Sequence, residues 1–126
     1  MCMSEKRRFF ASVSYAWKGV VYVFRHERNF RVQVIAALGV ALALIFLPVR
    51  RFEVVVSLFL ICFVLILELL NTALEMFLDL FKPRLSYQAE VIKDIMAAIV
   101  FIASLTAAGI GCIIFFPYLV EIGAQW

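Results

Sequence analysis

Three long apolar stretches decide which folds this chain can adopt. They cover 32–49, 54–81 and 95–120, and the third holds no charged residue. A membrane-spanning helix needs about 20 mainly apolar residues, at about 1.5 Å of rise each, to cross a hydrocarbon core of about 30 Å. The first stretch is close to this minimum and the other two exceed it. The pattern therefore predicts three transmembrane helices.

The composition excludes a soluble enzyme. Hydrophobic residues make up 66% of the chain, against about 45 to 50% in soluble domains, and the core of so small a domain cannot bury the excess. We predict an all-α integral membrane protein with one domain over residues 1–126, and no nucleic-acid partner. The cysteines lack the paired spacing of a zinc site or disulfide framework. Two of them, Cys62 and Cys112, lie in apolar stretches and are expected to be buried.

The segment before the first span, 1–31, has a different pattern. From Phe9 to Phe24, apolar residues recur at spacings of three and four, with basic residues between them. This pattern is typical of an amphipathic helix that lies in the membrane interface. Packing of the same helix against the bundle is an equally compatible interpretation. The predicted architecture is thus a bundle of three transmembrane helices with an N-terminal interfacial helix.

The distribution of basic residues predicts the orientation. Of the twelve Lys and Arg residues, ten lie before the first span or between the second and the third. The other two, Arg50 and Arg51, lie between the first span and the second. The positive-inside rule places the two segments that hold the ten in the cytoplasm and the C terminus outside. We therefore predict a multi-pass protein of the cell inner membrane with a cytoplasmic N terminus.

A polar stripe follows one face of the second span. On a helix, its members fall within a wedge of about 80°: Glu68, Asn71, Glu75 and Asp79. The span is about 42 Å long, some 12 Å more than the hydrocarbon core, which puts Glu75 and Asp79 at the cytoplasmic boundary and Glu68 below it. An acidic side chain at mid-bilayer costs about 2.5 to 3.5 kcal/mol. The stripe therefore calls for a compensating role.

Three interpretations of the stripe are open. In the structural one, Asn71 and Thr72 form interhelical hydrogen bonds, and the acids pair with Lys93 or with arginines of the N-terminal helix. In the catalytic one, carboxylates bind Mg²⁺ together with substrate phosphates, and a carboxylate in a less polar place acts as general base. In the third, the protein is not a catalyst: it is a helper subunit, or a small ion-conducting oligomer that uses the acids as a cation path. Clustering of the acids at one end of the span weakens the conduction model.

Two further places can complete a site. Glu27 precedes the first span, where it can face the cytoplasmic end of the second span. Lys93 and Asp94 open the third span. Asp94 would also favour a helix N terminus, which is a structural alternative for that residue.

The motifs together resemble the bacterial diacylglycerol kinase family, which includes undecaprenol kinases. The resemblance covers about residues 8–120 and rests on Glu68-Leu-Leu-Asn71-Thr72-Ala-Leu-Glu75, Asp79, Lys93-Asp94, Glu27, Asn29-Phe30-Arg31 and Tyr15-Ala-Trp17-Lys18-Gly19. It implies an ATP-dependent lipid kinase that converts diacylglycerol to phosphatidic acid or, as the alternative, phosphorylates undecaprenol. It also implies a homotrimer with sites shared between neighbouring protomers.

The resemblance further implies roles for single residues. Glu68 is expected to act as general base toward the lipid hydroxyl, and Asn71 to orient the site. Glu27 and Glu75 are expected to bind Mg²⁺. Contacts to ATP, the co-substrate, are expected from Arg8, Tyr15, Glu27, Glu75, Asp79, Lys93 and Asp94. Contacts to the lipid alcohol are expected from Trp17, Arg31 and Glu68.

Overall fold

Four α-helices account for most of the chain. The computed structural model describes residues 2–81 and 86–125, and its helices are α1 (Cys2–His26), α2 (Arg28–Phe46), α3 (Arg51–Asp79) and α4 (Ser86–Gln125). The described residues include no strand. Helices α2, α3 and α4 are each long and apolar enough to cross a membrane. The predictions of an all-α fold and of three spans are therefore confirmed.

The helices extend past the predicted spans at their polar ends. Helix α2 begins at Arg28 and α4 at Ser86, because apolar residues mark only the part of a helix that lies in the hydrocarbon core. The interpretation of Asp94 as a helix N terminus is wrong, since about two turns of α4 precede it. The second span is predicted to end at residue 81, and residues 82–85, which follow it, lie outside the described residues.

A single residue separates α1 from α2. Glu27 has an extended backbone, with φ −113° and ψ 114°, while its N–H still bonds to the carbonyl of Val23 at 2.8 Å. Nη1 of Arg31 donates to the carbonyls of Phe24 and Arg25 at 3.0 and 2.9 Å. Carbonyls in the last turn of a helix lack helical N–H partners. Arg31 therefore fastens the end of α1 to the beginning of α2.

Most of α1 does not pack against the other helices. Phe9, Val13 and Trp17 are all at least half exposed. Among the side chains described in α1, only that of Val23 is buried. The packing interpretation thus fits only the end of the helix, and the rest presents an apolar face suited to a membrane interface.

The outer surface of the three spans is apolar. Phe59, Phe101 and Ile113 are each more than 60% exposed. Cys62 and Cys112 are also exposed, so the expectation that they are buried is wrong. In a water-soluble protein, apolar side chains are buried away from water. The surface of this chain faces lipid tails, which are as apolar as leucine, so its apolar side chains can be exposed to them.

Helix α3 packs against both α2 and α4. Its buried side chains are Ser57, Val64, Glu68, Thr72 and Leu78. From Ser57 to Thr72 they recur at spacings of seven and four, which keeps them on one side of the helix. Glu68 of the polar stripe therefore faces the neighbouring helices rather than lipid, whereas Asp79 at the end of the stripe is exposed. At the opposite end of α3, the hydroxyl of Tyr118 in α4 donates to Oε2 of Glu53 at 2.7 Å.

Candidate active site

The centre of the site is Glu68, whose side chain is only 1% exposed. Its Oε2 accepts a hydrogen bond from Nε2 of Gln33 in α2 at 3.5 Å. Its Oε1 is buried and has no hydrogen-bond partner among the described residues. A buried carboxylate oxygen without a donor is costly in free energy. This atom is therefore one that a ligand hydroxyl can satisfy.

Two more buried oxygens close to Glu68 lack a donor in the described part of the chain. They are Oδ1 of Asn71, one turn further along α3, and Oε1 of Gln33. Folded proteins leave few buried polar atoms unpaired. Three acceptors in one region indicate a place that binds a donor, such as a hydroxyl group, or a cation.

Two further carboxylates lie near Glu68. Glu27, at the junction of α1 and α2, and Glu75, about two turns along α3, are both half-buried. Both are close enough to Glu68 for their charges to repel. Within residues 2–81 and 86–125, no three or more His, Cys, Asp or Glu side chains group closely enough to hold a metal ion. Mg²⁺ is typically held by one or two carboxylates together with substrate phosphates, so the role of Glu27 and Glu75 as its ligands stays a prediction.

Helix α4 reaches the stripe through an ion pair. Nζ of Lys93 lies 2.7 Å from Oδ1 of Asp79, so the structural interpretation, in which an acid of the stripe pairs with Lys93, is confirmed for Asp79. The pair is partly exposed, and ion pairs of this kind contribute only about 0 to 1 kcal/mol to stability. The ion pair affects the position of Lys93, because it holds this cationic group of α4 beside the acidic end of α3. Asp94, the next residue, is exposed.

The structural interpretation does not hold for the hydroxyl of Thr72. This group is buried and donates to the carbonyl of Glu68 in its own helix at 3.1 Å. A hydroxyl has a single hydrogen to donate. Thr72 therefore donates within α3 and not to a neighbouring helix.

Three predicted site residues lie apart from Glu68. Arg8, Tyr15 and Trp17 are exposed on α1. In the part of the chain that the structure describes, no hydrogen bond or ion pair joins them to Glu68 or Glu75. Their expected contacts to ATP and to the lipid remain predictions, as does the contact of Arg31 to the lipid.

Gln33 is a site residue that the sequence patterns did not identify. Its signal was a lone amide in an otherwise apolar span. In a membrane, such a side chain is expected to face another helix or a polar cavity. The sequence pattern does not show which residue Gln33 contacts, because the periodicity of α2 does not say which of its faces packs against α3.

An apolar groove runs from Gln33 along α3 toward the other end of the bundle. Its volume is about 230 Å³. Small residues of α2 and α4 make room for it: Ala36, Ala37, Ala107, Ala108 and Gly111. Ser57 lines it deep in the bundle, with an Oγ that has no partner among the described residues. The groove thus leads from the hydrogen-bonded neighbour of Glu68 into the hydrocarbon core.

Comparison with known proteins identifies the family. The model of the prokaryotic diacylglycerol kinase family matches residues 14–115, a range that includes Glu27, Glu68 and Lys93. The chain belongs to this family. Family membership confirms the resemblance drawn from the motifs, and with the three apolar helices it makes this diacylglycerol kinase family member a multi-pass membrane protein.

Two relatives show how the chain compares with other members of the family. The chain is 37% identical over 112 residues to a diacylglycerol kinase of Synechocystis sp., an alignment that covers 88% of this chain and 64% of that relative. It is 34% identical over 116 residues to an undecaprenol kinase of Bacillus subtilis, covering 92% of this chain and 94% of that relative. This member of the diacylglycerol kinase family therefore spans just under two thirds of the first relative and nearly all of the second.

Proposed function

We propose that the protein is a membrane lipid kinase that transfers the γ-phosphate of ATP to a membrane lipid alcohol. The observation that carries the proposal is the buried Oε1 of Glu68, which has no hydrogen-bond partner among the described residues. The carboxylate of Glu68 also lies within electrostatic range of Glu27 and Glu75. Diacylglycerol is the first candidate substrate, and it is the substrate in the name of the Synechocystis relative. Undecaprenol is the second candidate, favoured by the near full-length match to the Bacillus relative.

In the proposed reaction, Oε1 of Glu68 accepts the proton of the lipid hydroxyl. The hydroxyl oxygen forms a bond to the γ-phosphorus, and the bond from that phosphorus to the oxygen of the leaving ADP breaks. The products are ADP and a lipid monophosphate. Phosphoryl transfer depends mainly on positioning and charge stabilisation, so a held proton acceptor beside a cation site is a sufficient set of groups. Asn71, one turn from Glu68, orients the hydroxyl.

The acids around Glu68 suit binding of MgATP. Glu27 and Glu75 would hold Mg²⁺, which would neutralise charge on the transferred phosphate. Lys93, kept beside the stripe by Asp79, supplies positive charge for the phosphates. Arg8, Tyr15 and Asp94 contact the nucleotide. All of these residues lie in or beside segments rich in Lys and Arg, which supports a cytoplasmic site and a cytoplasmic N terminus in the cell inner membrane.

We propose a homotrimer, in which α1 of one protomer would contribute residues to the site of its neighbour. Arg8, Tyr15 and Trp17 are exposed in one protomer, so they are accessible to a neighbouring copy and to the membrane surface. Sites shared between neighbouring protomers would bring these side chains to the acids of an adjacent α3. Trp17 and Arg31 then lie where the lipid head enters.

We assign the apolar groove to the hydrocarbon chain of the lipid alcohol. The groove begins at Gln33, which bonds to Glu68, so a chain lying in it would carry its hydroxyl to the proton acceptor. A volume of about 230 Å³ accommodates part of one hydrocarbon chain. Its walls are almost entirely apolar, which suits a chain without polar groups.

Filling the groove is expected to weaken lipid use selectively. Gly111 lines the groove, and a Cβ built there has no atom within 4 Å apart from its chain neighbours and the adjacent backbone of its own helix. We expect Gly111→Leu to raise the KM for the lipid at least about tenfold, because the new side chain occupies volume that the hydrocarbon chain needs. The KM for ATP should not change. Steady-state kinetics in mixed micelles, with each substrate varied in turn, measures both values.

The control for this variant is Gly109→Leu. Gly109 lies two residues away in α4, is exposed, and likewise has open space at its Cβ position. We expect this variant to keep the wild-type KM for the lipid. Equal effects of the two substitutions would contradict the assignment of the groove.

The proposed function is tested by an ATP-consumption assay with purified protein reconstituted in vesicles. Diacylglycerol and undecaprenol are offered separately, and vesicles without a lipid alcohol serve as the blank. We expect ADP and a matching lipid monophosphate with at least one of the two. Failure to phosphorylate either lipid, together with cation flux through the same vesicles, would favour the ion-conducting alternative instead.

A further inference from the structure

We infer that Gln33 is a positioning residue that holds Glu68 in the orientation needed for proton transfer. The inference rests on the proposed function, because it assigns Gln33 a role through the general base of that reaction. It is carried by the contact between Nε2 of Gln33 and Oε2 of Glu68. It also rests on the difference between the two carboxylate oxygens of Glu68: Oε2 is bonded to Gln33, and Oε1 has no partner within the described part of the chain.

The amide of Gln33 gives the two carboxylate oxygens of Glu68 different roles. An ionised carboxylate only accepts hydrogen bonds, so the amide group facing it must be the NH₂. That bond occupies Oε2 and leaves Oε1 as the oxygen without a partner among the described residues. A hydrogen bond to a residue of a second helix restricts the rotation of this side chain. The open oxygen is therefore held in one direction before substrate arrives.

The location of Gln33 makes it the link between the groove and the proton acceptor. Gln33 belongs to α2 and Glu68 to α3, so the bond fixes the base relative to a second helix. Gln33 also lines the groove. A hydrocarbon chain in the groove would thus have its hydroxyl end beside the same side chain that orients Glu68.

An amide suits this task better than a carboxylate would. Hydrogen bonds to an ionised acceptor are about twice as strong as those between neutral groups. An amide donates such a bond and takes up no proton in the range where enzymes work. A second carboxylate at this position would present an acceptor to Glu68, and it would compete for the hydroxyl proton.

The main test is Gln33→Met in the full-length protein reconstituted with its lipid substrate. Methionine has nearly the same length and no donor group, so packing is kept while the bond is lost. We expect kcat to fall by about tenfold to a hundredfold, as misplacement of a reacting group does, and the KM for ATP to stay within about twofold. Leu38→Met, on the exposed face of α2, is the control and should keep wild-type values. Gln33→Glu, which keeps a polar side chain but no amide donor, should lower kcat at least as far as Gln33→Met.

A second experiment asks whether Gln33 acts through Glu68. In a Glu68→Asp protein the carboxylate is one methylene shorter and does not reach the amide, so adding Gln33→Met should change kcat less than about twofold. Fold-losses that multiply across the two sites would mean that they act independently. That result, or wild-type kcat in Gln33→Met, would overturn the inference and leave the proposed function standing. Absence of lipid phosphorylation by the wild-type protein would overturn both.

Discussion

Glu68→Gln is expected to abolish lipid phosphorylation while ATP binding is retained. Glutamine keeps the shape of glutamate and can still bond to Gln33, but its amide does not accept the hydroxyl proton. A positioned general base typically contributes about 10² to 10⁴ in rate, and the loss of turnover should be of this size. Single-turnover formation of lipid monophosphate measures the chemistry, and equilibrium binding of ATP to the same preparation measures the site.

The matched control is Glu53→Gln in the same helix. Glu53 lies at the far end of α3, where it accepts a hydrogen bond from Tyr118, and glutamine retains an oxygen that can accept the same bond. We expect this variant to keep wild-type turnover. Turnover of Glu68→Gln within about threefold of wild type, far short of the loss expected for a general base, would rule out that role for Glu68.

Glu75→Ala is expected to change the metal requirement. Loss of one of two proposed protein ligands should move the Mg²⁺ dependence of turnover to concentrations at least about tenfold higher, since Mg²⁺ is held by few protein carboxylates. The expected signature is partial recovery of rate at high Mg²⁺, which a folding defect would not give. Initial rates over a Mg²⁺ titration at saturating ATP and lipid provide the measurement.

A second acidic residue gives the comparison for this titration. Glu90 is exposed in the first turns of α4 and has no assigned role. Glu90→Ala should reproduce the wild-type Mg²⁺ curve. If Glu75→Ala gives the same curve as well, Glu75 is not a metal ligand.

The spans and the stripe could be predicted from the sequence because both depend on local periodicity. Three apolar stretches fixed the number of spans, and the spacing of Glu68, Asn71 and Glu75 put them on one face. These features require no knowledge of neighbours. Lys93 could also be named as one possible partner for the acids of the stripe, because opposite charges lie at the same membrane boundary. Which acid it meets, Asp79, is known only from the structure.

The rest of the site depends on contacts between helices, which periodicity does not encode. The bond from Gln33 to Glu68 joins residues 35 positions apart and requires a specific rotation of α2 about its axis. The groove likewise requires small residues of α2 and α4 to line the same side of α3. The early start of α4 was missed for a different reason, because its first turns are polar and carry no membrane signal. The expected burial of Cys62 and Cys112 was wrong because lipid, unlike water, solvates apolar groups.

Among the described residues, polar contacts join α4 to α3 at both ends of α3. Asp79 bonds to Lys93 at one end and Glu53 to Tyr118 at the other, so the attachment points are about 39 Å apart along α3. Sliding of α4 by one turn, about 5.4 Å, would break both contacts at once. Gly111 and Lys93 both belong to α4. The position of α4 along α3 therefore determines how Gly111 aligns with the groove and how Lys93 aligns with the acids. A lipid that entered sideways would therefore meet a groove and a set of acids that keep the same spacing along the helices.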